Sequence, residues 1–184
     1  MPDVNEEIVK QFFEKNGFLV KTNLKYMVKS GGSSGESDVD LAVLNLDPDR
    51  MNPATNIVLE AEDLKGIERA VVEIKGWHEL RFTPSLLAYS PRIFNFVRQE
   101  SLDAAKKFFK NANFKKILVL SELPVVEDKR SESIQKLKKG GIDHVIEFKT
   151  ILKYITGVVK PNKNYRDSEF LQTVRLLKSY DLLK

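Results

Sequence analysis

The stretch VVEIKGWH, residues 71–78, places charged side chains inside an otherwise apolar segment. In a β-strand alternate side chains share a face, so Glu73 and Lys75 point one way while Val72 and Ile74 point the other. One interpretation is a half-exposed strand whose outer face carries an ordinary ion pair. The other interpretation is a carboxylate and an ammonium placed together for chemistry.

Further carboxylates occur on two other predicted elements. Asp40 directly precedes the apolar run LAVL, Asp38 lies two residues earlier on the same strand face, and a predicted first helix carries two glutamates. Neighbouring strands can bring Asp40 close to Glu73, as two ligands of one hard cation such as Mg²⁺ must be. A lysine two residues after Glu73 could orient a water molecule beside that cation and lower the pKa of the water. Metal, activated water and phosphate together make a phosphodiester hydrolase.

The first half of the chain is predicted to form one helix followed by strands. Apolar side chains at Val4, Ile8 and Phe12 recur at helical spacing within residues 3–16, and Gly17 is a good helix stop. Extended segments and connections then alternate: an extended segment from Phe18, a flexible Gly/Ser loop over 30–37, a strand over 38–46, a connection over 47–56, a further short strand over 57–63, and the strand from Ala70 to Gly76.

The second half alternates predicted helices and strands. In order these are a loop over 81–91, a helix over 91–111 opened by Ser90-Pro91, a strand over 115–124, a charged helix over 127–141, a segment over 144–155 that begins as a strand and turns helical near Thr150, and an amphipathic helix over 167–183. Three consecutive strands followed by helix–strand units predict an α/β fold, with a mixed central sheet flanked by helices.

Asp40 and the triplet Glu73-Ile74-Lys75, preceded by an acidic helix, resemble the motif of the PD-(D/E)xK nuclease superfamily. That group includes type II restriction enzymes and archaeal Holliday-junction resolvases, and the stretch EEIVKQFFEKNGF is similar to the first helix of the resolvases. The resemblance covers about residues 4–122. It implies a restriction-endonuclease-like core of a helix, three strands, a helix and a strand, within a single nuclease-like domain over 1–184. Residues 123–184 would add helix–strand–helix elements and a C-terminal helical extension.

The resemblance also implies site roles. Asp40 and Glu73 would bind Mg²⁺ or Mn²⁺ together with the Ile74 carbonyl, and Lys75 would position the attacking water. The helix acid that supports the site would be Glu7, or else Glu6.

Two features of the motif region bear on these assignments. Asp40 is preferred to Asp38 because the family's aspartate directly precedes the apolar run. Val39 departs from the family pattern, in which the motif name has proline, and residues 47–66 must form an insertion or an extra hairpin.

Other residues are candidates for contact with nucleic acid. The predicted helix over 91–111 has a polar face that could neutralise or hydrogen-bond to the DNA backbone, or could simply be solvated. Trp77 and Tyr89 could stack on bases or pack against the long loop, and His78 could line the mouth of the site. The candidates for DNA contact are Arg92, Arg98, Gln99 and Lys106.

Charge divides the chain into two unlike parts. Residues 1–80 hold 9 Lys and Arg against 15 Asp and Glu, a net of −6, whereas residues 81–184 hold 21 against 11, a net of +10. A basic half can follow a polyanion such as nucleic acid, while converging carboxylates in the other half would hold a divalent cation.

Several classes of protein are excluded by what the sequence lacks. With zero cysteines there is no disulfide framework and no thiolate site. No apolar run is long enough to span a membrane, the stretch MPDVNEEIVKQFF lacks the basic-then-apolar layout of a signal peptide, and no GxxxxGK[ST] motif indicates a nucleotide cofactor. A cytoplasmic protein is predicted, and a homodimer is a family-level expectation.

The resulting prediction is a Mg²⁺-dependent DNA endonuclease in repair, recombination or restriction. One alternative is an inactive nucleic-acid-binding or assembly module on the same fold. Another is an RNA endonuclease, and a third is a plain α/β protein in which Asp40 and Glu73 lie far apart.

Overall fold

The computed structural model describes residues 3–30 and 33–183 of the chain. Six α-helices and five strands are found among them, with 3-10 helices over Ala61–Gly66 and Pro91–Val97. The helices are α1 Val4–Lys15, α2 Pro84–Tyr89, α3 Gln99–Phe109, α4 Glu127–Lys139, α5 Phe148–Val158 and α6 Glu169–Ser179. The strands are β1 Phe18–Ser30, β2 Ser33–Asn45, β3 Arg69–Lys75, β4 Lys115–Leu120 and β5 His144–Glu147.

Local chemistry explains where α1 begins and ends. The Asp3 side chain accepts a hydrogen bond from the Asn5 backbone N–H at 3.1 Å, which caps the first turn. Gly17 follows the helix with φ +86°, a left-handed conformation that glycine adopts without steric cost. Phe12 and Phe13 are fully buried, so the helix is held against the sheet by its apolar face.

The five strands form one mixed sheet in the order β1-β2-β3-β4-β5. β1, β2 and β3 pair antiparallel, whereas β3, β4 and β5 pair parallel. Parallel neighbours need crossover connections, and helical segments supply them between β3 and β4 and between β4 and β5. The predicted α/β architecture, a mixed sheet flanked by helices, is confirmed.

Each face of the sheet covers its own apolar core. Val72 and Ile74 of β3 pack with the buried side chains of α1, α5 and α6, while Val71 packs on the opposite face with residues of α2, α3 and α4. Because strand side chains alternate between faces, Glu73 and Lys75 share the Val71 face.

The β1–β2 hairpin bends in its middle. Asn23 has φ +51°, and the pairing skips the position of Asn23 and Asp40 between Thr22–Leu41 and Leu24–Val39. Before the bend the hairpin packs into the core of α1, and after it Tyr26 and Val39 pack into the opposite core. The ladder between β2 and β3 runs only from Leu44–Arg69 to Leu41–Val72. The two strands therefore separate at Asp40, the residue that precedes Leu41 in β2. We call this opening the fork.

The predicted secondary structure of two segments near the hairpin was wrong. Residues 57–63 form no strand: Val58 makes one bridge to Val145, and the 3-10 helix begins at Ala61. Residues 33–37 of the predicted Gly/Ser loop belong to β2, because backbone pairing with β1 extends the hairpin to Ser30–Ser33. Residues 31 and 32 of that loop lie outside the described residues.

Two further corrections concern the middle of the chain. The predicted loop over 81–91 contains α2, which Thr83 caps by accepting a hydrogen bond from the Leu86 N–H. The predicted helix over 91–111 is divided: Arg98 is extended, with φ −74° and ψ 160°, between the 3-10 helix and α3. In the part of the chain that the structure describes, no helix has the length and apolarity needed to cross a membrane.

Candidate active site at the fork between two strands

Asp40 reaches across the fork to β3. Continuing the β2–β3 register would place Val39 opposite Ile74, but the bend carries Val39 into another core. The Ile74 backbone N–H instead donates a hydrogen bond to Oδ2 of Asp40, at 2.6 Å. Asp40 therefore contacts Ile74, the residue next to Glu73 in β3. The alternative of a plain α/β protein, in which Asp40 and Glu73 lie far apart, does not predict this contact.

Glu73 is a buried carboxylate with only one oxygen in a hydrogen bond. The residue is 6% exposed, and its Oε1 accepts a hydrogen bond from Nζ of Lys75 at 2.5 Å. Its Oε2 is buried and has no hydrogen-bond partner among the described residues. A buried carboxylate oxygen without a partner costs free energy, so this atom is suited to accept a cation.

The electrostatics of the pair follow from burial and from like charge. Burial raises the pKa of Glu73 to about 7, Asp40 adds to the rise, and Lys75 opposes it. The pKa of Asp40 is also raised by burial, against the hydrogen bond from Ile74 and the charge of Lys75. Perturbed carboxylates that share a site in this way are candidates for function.

Glu6 is the helix acid whose charge interacts with the residues of the fork. Burial raises the pKa of Glu6, and the nearby charges of Asp40 and then Asp3 raise it further, while Lys75 lowers it. Glu7, the other candidate for the helix acid, has its contacts on the side of α6. Its Oε1 accepts hydrogen bonds from Ser168 at 3.2 Å and from Gln11 at 3.0 Å.

The first turn of α1 is anchored to the end of β3. Oδ1 of Asn5 lies 2.8 Å from Nε2 of His78, and the His78 ring meets the Phe148 ring edge-on at 4.7 Å. A Cβ on Gly76 would lie 2.5 Å from Nδ2 of Asn5, so a larger residue at this position would displace the Asn5 side chain. Sequence reasoning missed Asn5, and the signal that could have indicated it is Gly76 at the end of a charged strand.

Asp38, the alternative to Asp40, is exposed and lies opposite Lys25 in the β1–β2 ladder. Its charge contributes to the raised pKa of Asp40 and of Glu73. The residue that accepts a hydrogen bond from β3 is Asp40.

The four candidates for DNA contact do not form one helical face, because Arg98 interrupts the helix. Arg92 lies on the 3-10 helix and Arg98 on the extended residue after it, and both are exposed. Gln99 and Lys106 both bind Oδ1 of Asp103, at 2.7 and 3.1 Å. These two side chains are engaged in a local network on α3.

The fork has the donor set of a site for a hard cation. Within residues 3–30 and 33–183, no group of three or more His, Cys, Asp or Glu residues is placed to hold a metal ion. Mg²⁺, however, usually keeps several waters and binds through one or two carboxylates. That pattern fits the carboxylate of Asp40 and the Oε2 atom of Glu73, which has no hydrogen-bond partner among the described residues. The Ile74 carbonyl lies on the same side, because the N–H and C=O of one strand residue point to the same edge of the strand and the Ile74 N–H points to Asp40.

Two carboxylates and one ammonium thus meet where two strands part, with a third carboxylate from α1 nearby. Such a group can bind a divalent cation and hold a water beside a phosphate. No family model, curated protein or solved structure matches this chain.

Proposed function

We propose that this protein is a Mg²⁺-dependent nuclease that hydrolyses phosphodiester bonds of DNA, with a site of the PD-(D/E)xK type. The single observation that carries the proposal is the hydrogen bond from Ile74 to Asp40, which brings Asp40 against the strand that bears Glu73 and Lys75. The order of a helix, three strands, helical segments and a strand supports a restriction-endonuclease-like core.

Each residue of the fork has a role in this proposal. Asp40, Glu73 and the Ile74 carbonyl would hold Mg²⁺, which supplies charge neutralisation at the phosphate and a lower pKa for bound water. Lys75 orients the attacking water, since its ammonium is held beside Glu73 at 2.5 Å. Glu6 accepts hydrogen bonds from water on the α1 side.

The reaction is an ordinary hydrolysis. The water gives up a proton to solvent as its oxygen bonds to phosphorus, the bond from phosphorus to the leaving sugar oxygen breaks, and that oxygen takes up a proton from solvent. Positioning of the water is the contribution of this chain's own side chains, and such acid–base and positioning effects are worth about 10²–10⁴-fold in rate.

A cleavage assay of Lys75→Ala tests the proposal. The panel holds duplex, single-stranded, flap and four-way-junction DNA together with RNA, in Mg²⁺, Mn²⁺ or EDTA. We expect metal-dependent cleavage by the wild type and a loss of about 10²-fold or more in the variant. Lys116→Ala is the matched control, because Lys116 is also a half-buried lysine in an ion pair, 2.9 Å from Asp143, and lies in β4.

The other outcomes identify the alternatives. Equal loss in both lysine variants would mean that the effect comes from general destabilisation. DNA binding without cleavage would favour the inactive binding module, and cleavage of RNA alone would favour the RNA endonuclease. Full cleavage by Lys75→Ala would remove the fork as the active site.

A further inference from the structure

A groove of about 650 Å³ opens directly after β3. Gly76, Trp77, His78, Leu80 and Leu86 contribute to its lining. Because Gly76 follows Lys75 in the chain, the groove begins beside the last residue of the proposed active site. It is a different depression from the one at the ends of β4 and β5, with which it shares His78.

Trp77 forms an aromatic platform in this groove. Its ring stacks on Phe82, with the ring centres 5.6 Å apart and the planes inclined by 14°. Phe82 is fully buried, whereas Trp77 keeps 37% of its surface exposed. An indole supported from below by a buried ring is held in one orientation, so it loses little conformational freedom when another ring stacks on it.

The lining of the groove suits a nucleobase better than a phosphate. Among the described residues that line it there is no lysine or arginine, and Glu79 adds a negative charge. Leu80, with 48% of its surface exposed, supplies apolar surface next to the indole. Base–aromatic stacking tolerates any sequence, because every base has a π-face.

We infer that Trp77 stacks on an unpaired base of the nucleic-acid strand whose phosphate lies at the fork; this inference rests on the proposed function. A base inside a continuous duplex is already stacked on both faces and cannot reach a protein ring without leaving the helix. The substrate therefore carries unpaired nucleotides next to the cleaved bond, as a single strand, a flap or a branch point does.

Tryptophan fluorescence tests the contact directly, because Trp77 is the only tryptophan among the 184 residues. The probe is a short single-stranded oligodeoxythymidine, titrated in Ca²⁺ to limit cleavage, against a matched strand in which every base is replaced by an abasic sugar. We expect the base-bearing strand to quench the emission and the abasic strand to leave it nearly unchanged. Equal quenching by both strands, or none by either, would overturn the inference.

Kinetics of Trp77→Leu and Trp77→Phe give the second measurement. Loss of the ring in Trp77→Leu should raise KM for the single strand about tenfold with kcat little changed, and Trp77→Phe should restore most of the loss. Tyr180→Leu is the control, because Tyr180 is an exposed ring, 74% accessible, at the end of α6. Thermal melting of each variant establishes that it is folded.

Failure of the inference and failure of the proposed function are distinguishable. If the wild type cleaves single strands and Trp77→Leu has an unchanged KM, the nuclease stands and the stacking is wrong. If the wild type cleaves nothing while base-bearing strands still quench Trp77, the site is a nucleic-acid-binding site without catalysis. A preference for blunt duplex over every substrate with unpaired bases would also overturn the inference.

Discussion

Glu73 carries a free-energy cost that its surroundings do not fully offset. Burial raises its pKa from the ordinary value of 4.5 to about 7. The charge of the nearby Asp40 adds to this rise, and the charge of Lys75 opposes it. That difference corresponds to a free energy on the order of 3 kcal/mol. Retaining a buried, half-satisfied carboxylate is a cost that binding sites impose on stability.

The sign of the pH dependence follows from proton binding. Between pH 4.5 and about 7 the folded state holds a proton on Glu73 that the unfolded state has lost, so the free energy of unfolding falls as pH rises. Glu73→Gln cannot ionise and should escape this fall. Denaturation in EDTA should find the variant about 3 kcal/mol more stable than the wild type at pH 8, with the difference disappearing towards pH 4.5.

Glu122→Gln is the control for that measurement, because it makes the same substitution at an exposed position, where Glu122 pairs with Arg81. Added Mg²⁺ should stabilise the wild type and leave Glu73→Gln unaffected. If Glu73→Gln were less stable than the wild type at pH 8, the ion pair between Glu73 and Lys75 would be an ordinary stabilising contact.

At the scale of the element, α1 directs two neighbouring glutamates into different surroundings. Adjacent residues on a helix point about 100° apart, so the charge of Glu6 interacts with the residues of the fork while Glu7 contacts Ser168 before α6. Glu6→Ala should lower cleavage about tenfold with little change in stability. Glu7→Ala should leave cleavage unchanged and cost about 1 kcal/mol of unfolding free energy, since it loses hydrogen bonds to Ser168 and Gln11.

The two alanine variants are matched in position, residue type and helix propensity, so each serves as the other's control. Cleavage rates and urea denaturation of both would be measured together. If Glu7→Ala lost activity and Glu6→Ala did not, the orientation of α1 inferred for the site would be wrong.

Sequence patterns predicted those elements whose apolar spacing or punctuation is strong. The helix that ends before Gly17 and the strand that carries Glu73 belong to this group. The approach of Asp40 to that strand was also expected, because neighbouring strands can bring the two carboxylates together. Helical spacing alone could not choose between Glu6 and Glu7, because the choice depends on how α1 rotates when Phe12 and Phe13 are buried.

The errors arose where tertiary contacts override local preference. Residues 57–59 have the apolar side chains of a strand, but Leu59 and Ala61 are buried on a segment that makes only one bridge to the sheet. Residues 33–37 are poor strand formers and are extended because β1 offers them backbone partners. Nothing local marks the break at Arg98, which is neither glycine nor proline.

Over the whole molecule, charge is divided between the site and its surroundings. Residues 1–80, which supply every carboxylate of the fork, have a net charge of −6, and residues 81–184 have a net charge of +10. An acidic site repels phosphate, so binding of a polyanion requires cations supplied by other parts of the chain. The exposed arginines Arg92 and Arg98 belong to the basic half.

Salt dependence of binding measures how many of these cations meet phosphates. Each lost phosphate contact should lower the slope of log K against log salt by about 1, so Arg92→Ala and Arg98→Ala should each flatten it. Lys106→Ala is the control, because its ammonium is already held 3.1 Å from Asp103 and should contribute less. Fluorescence anisotropy of labelled DNA over a series of NaCl concentrations gives the slopes. Equal slopes in all three variants and the wild type would mean that nucleic acid approaches the fork from another side of the molecule.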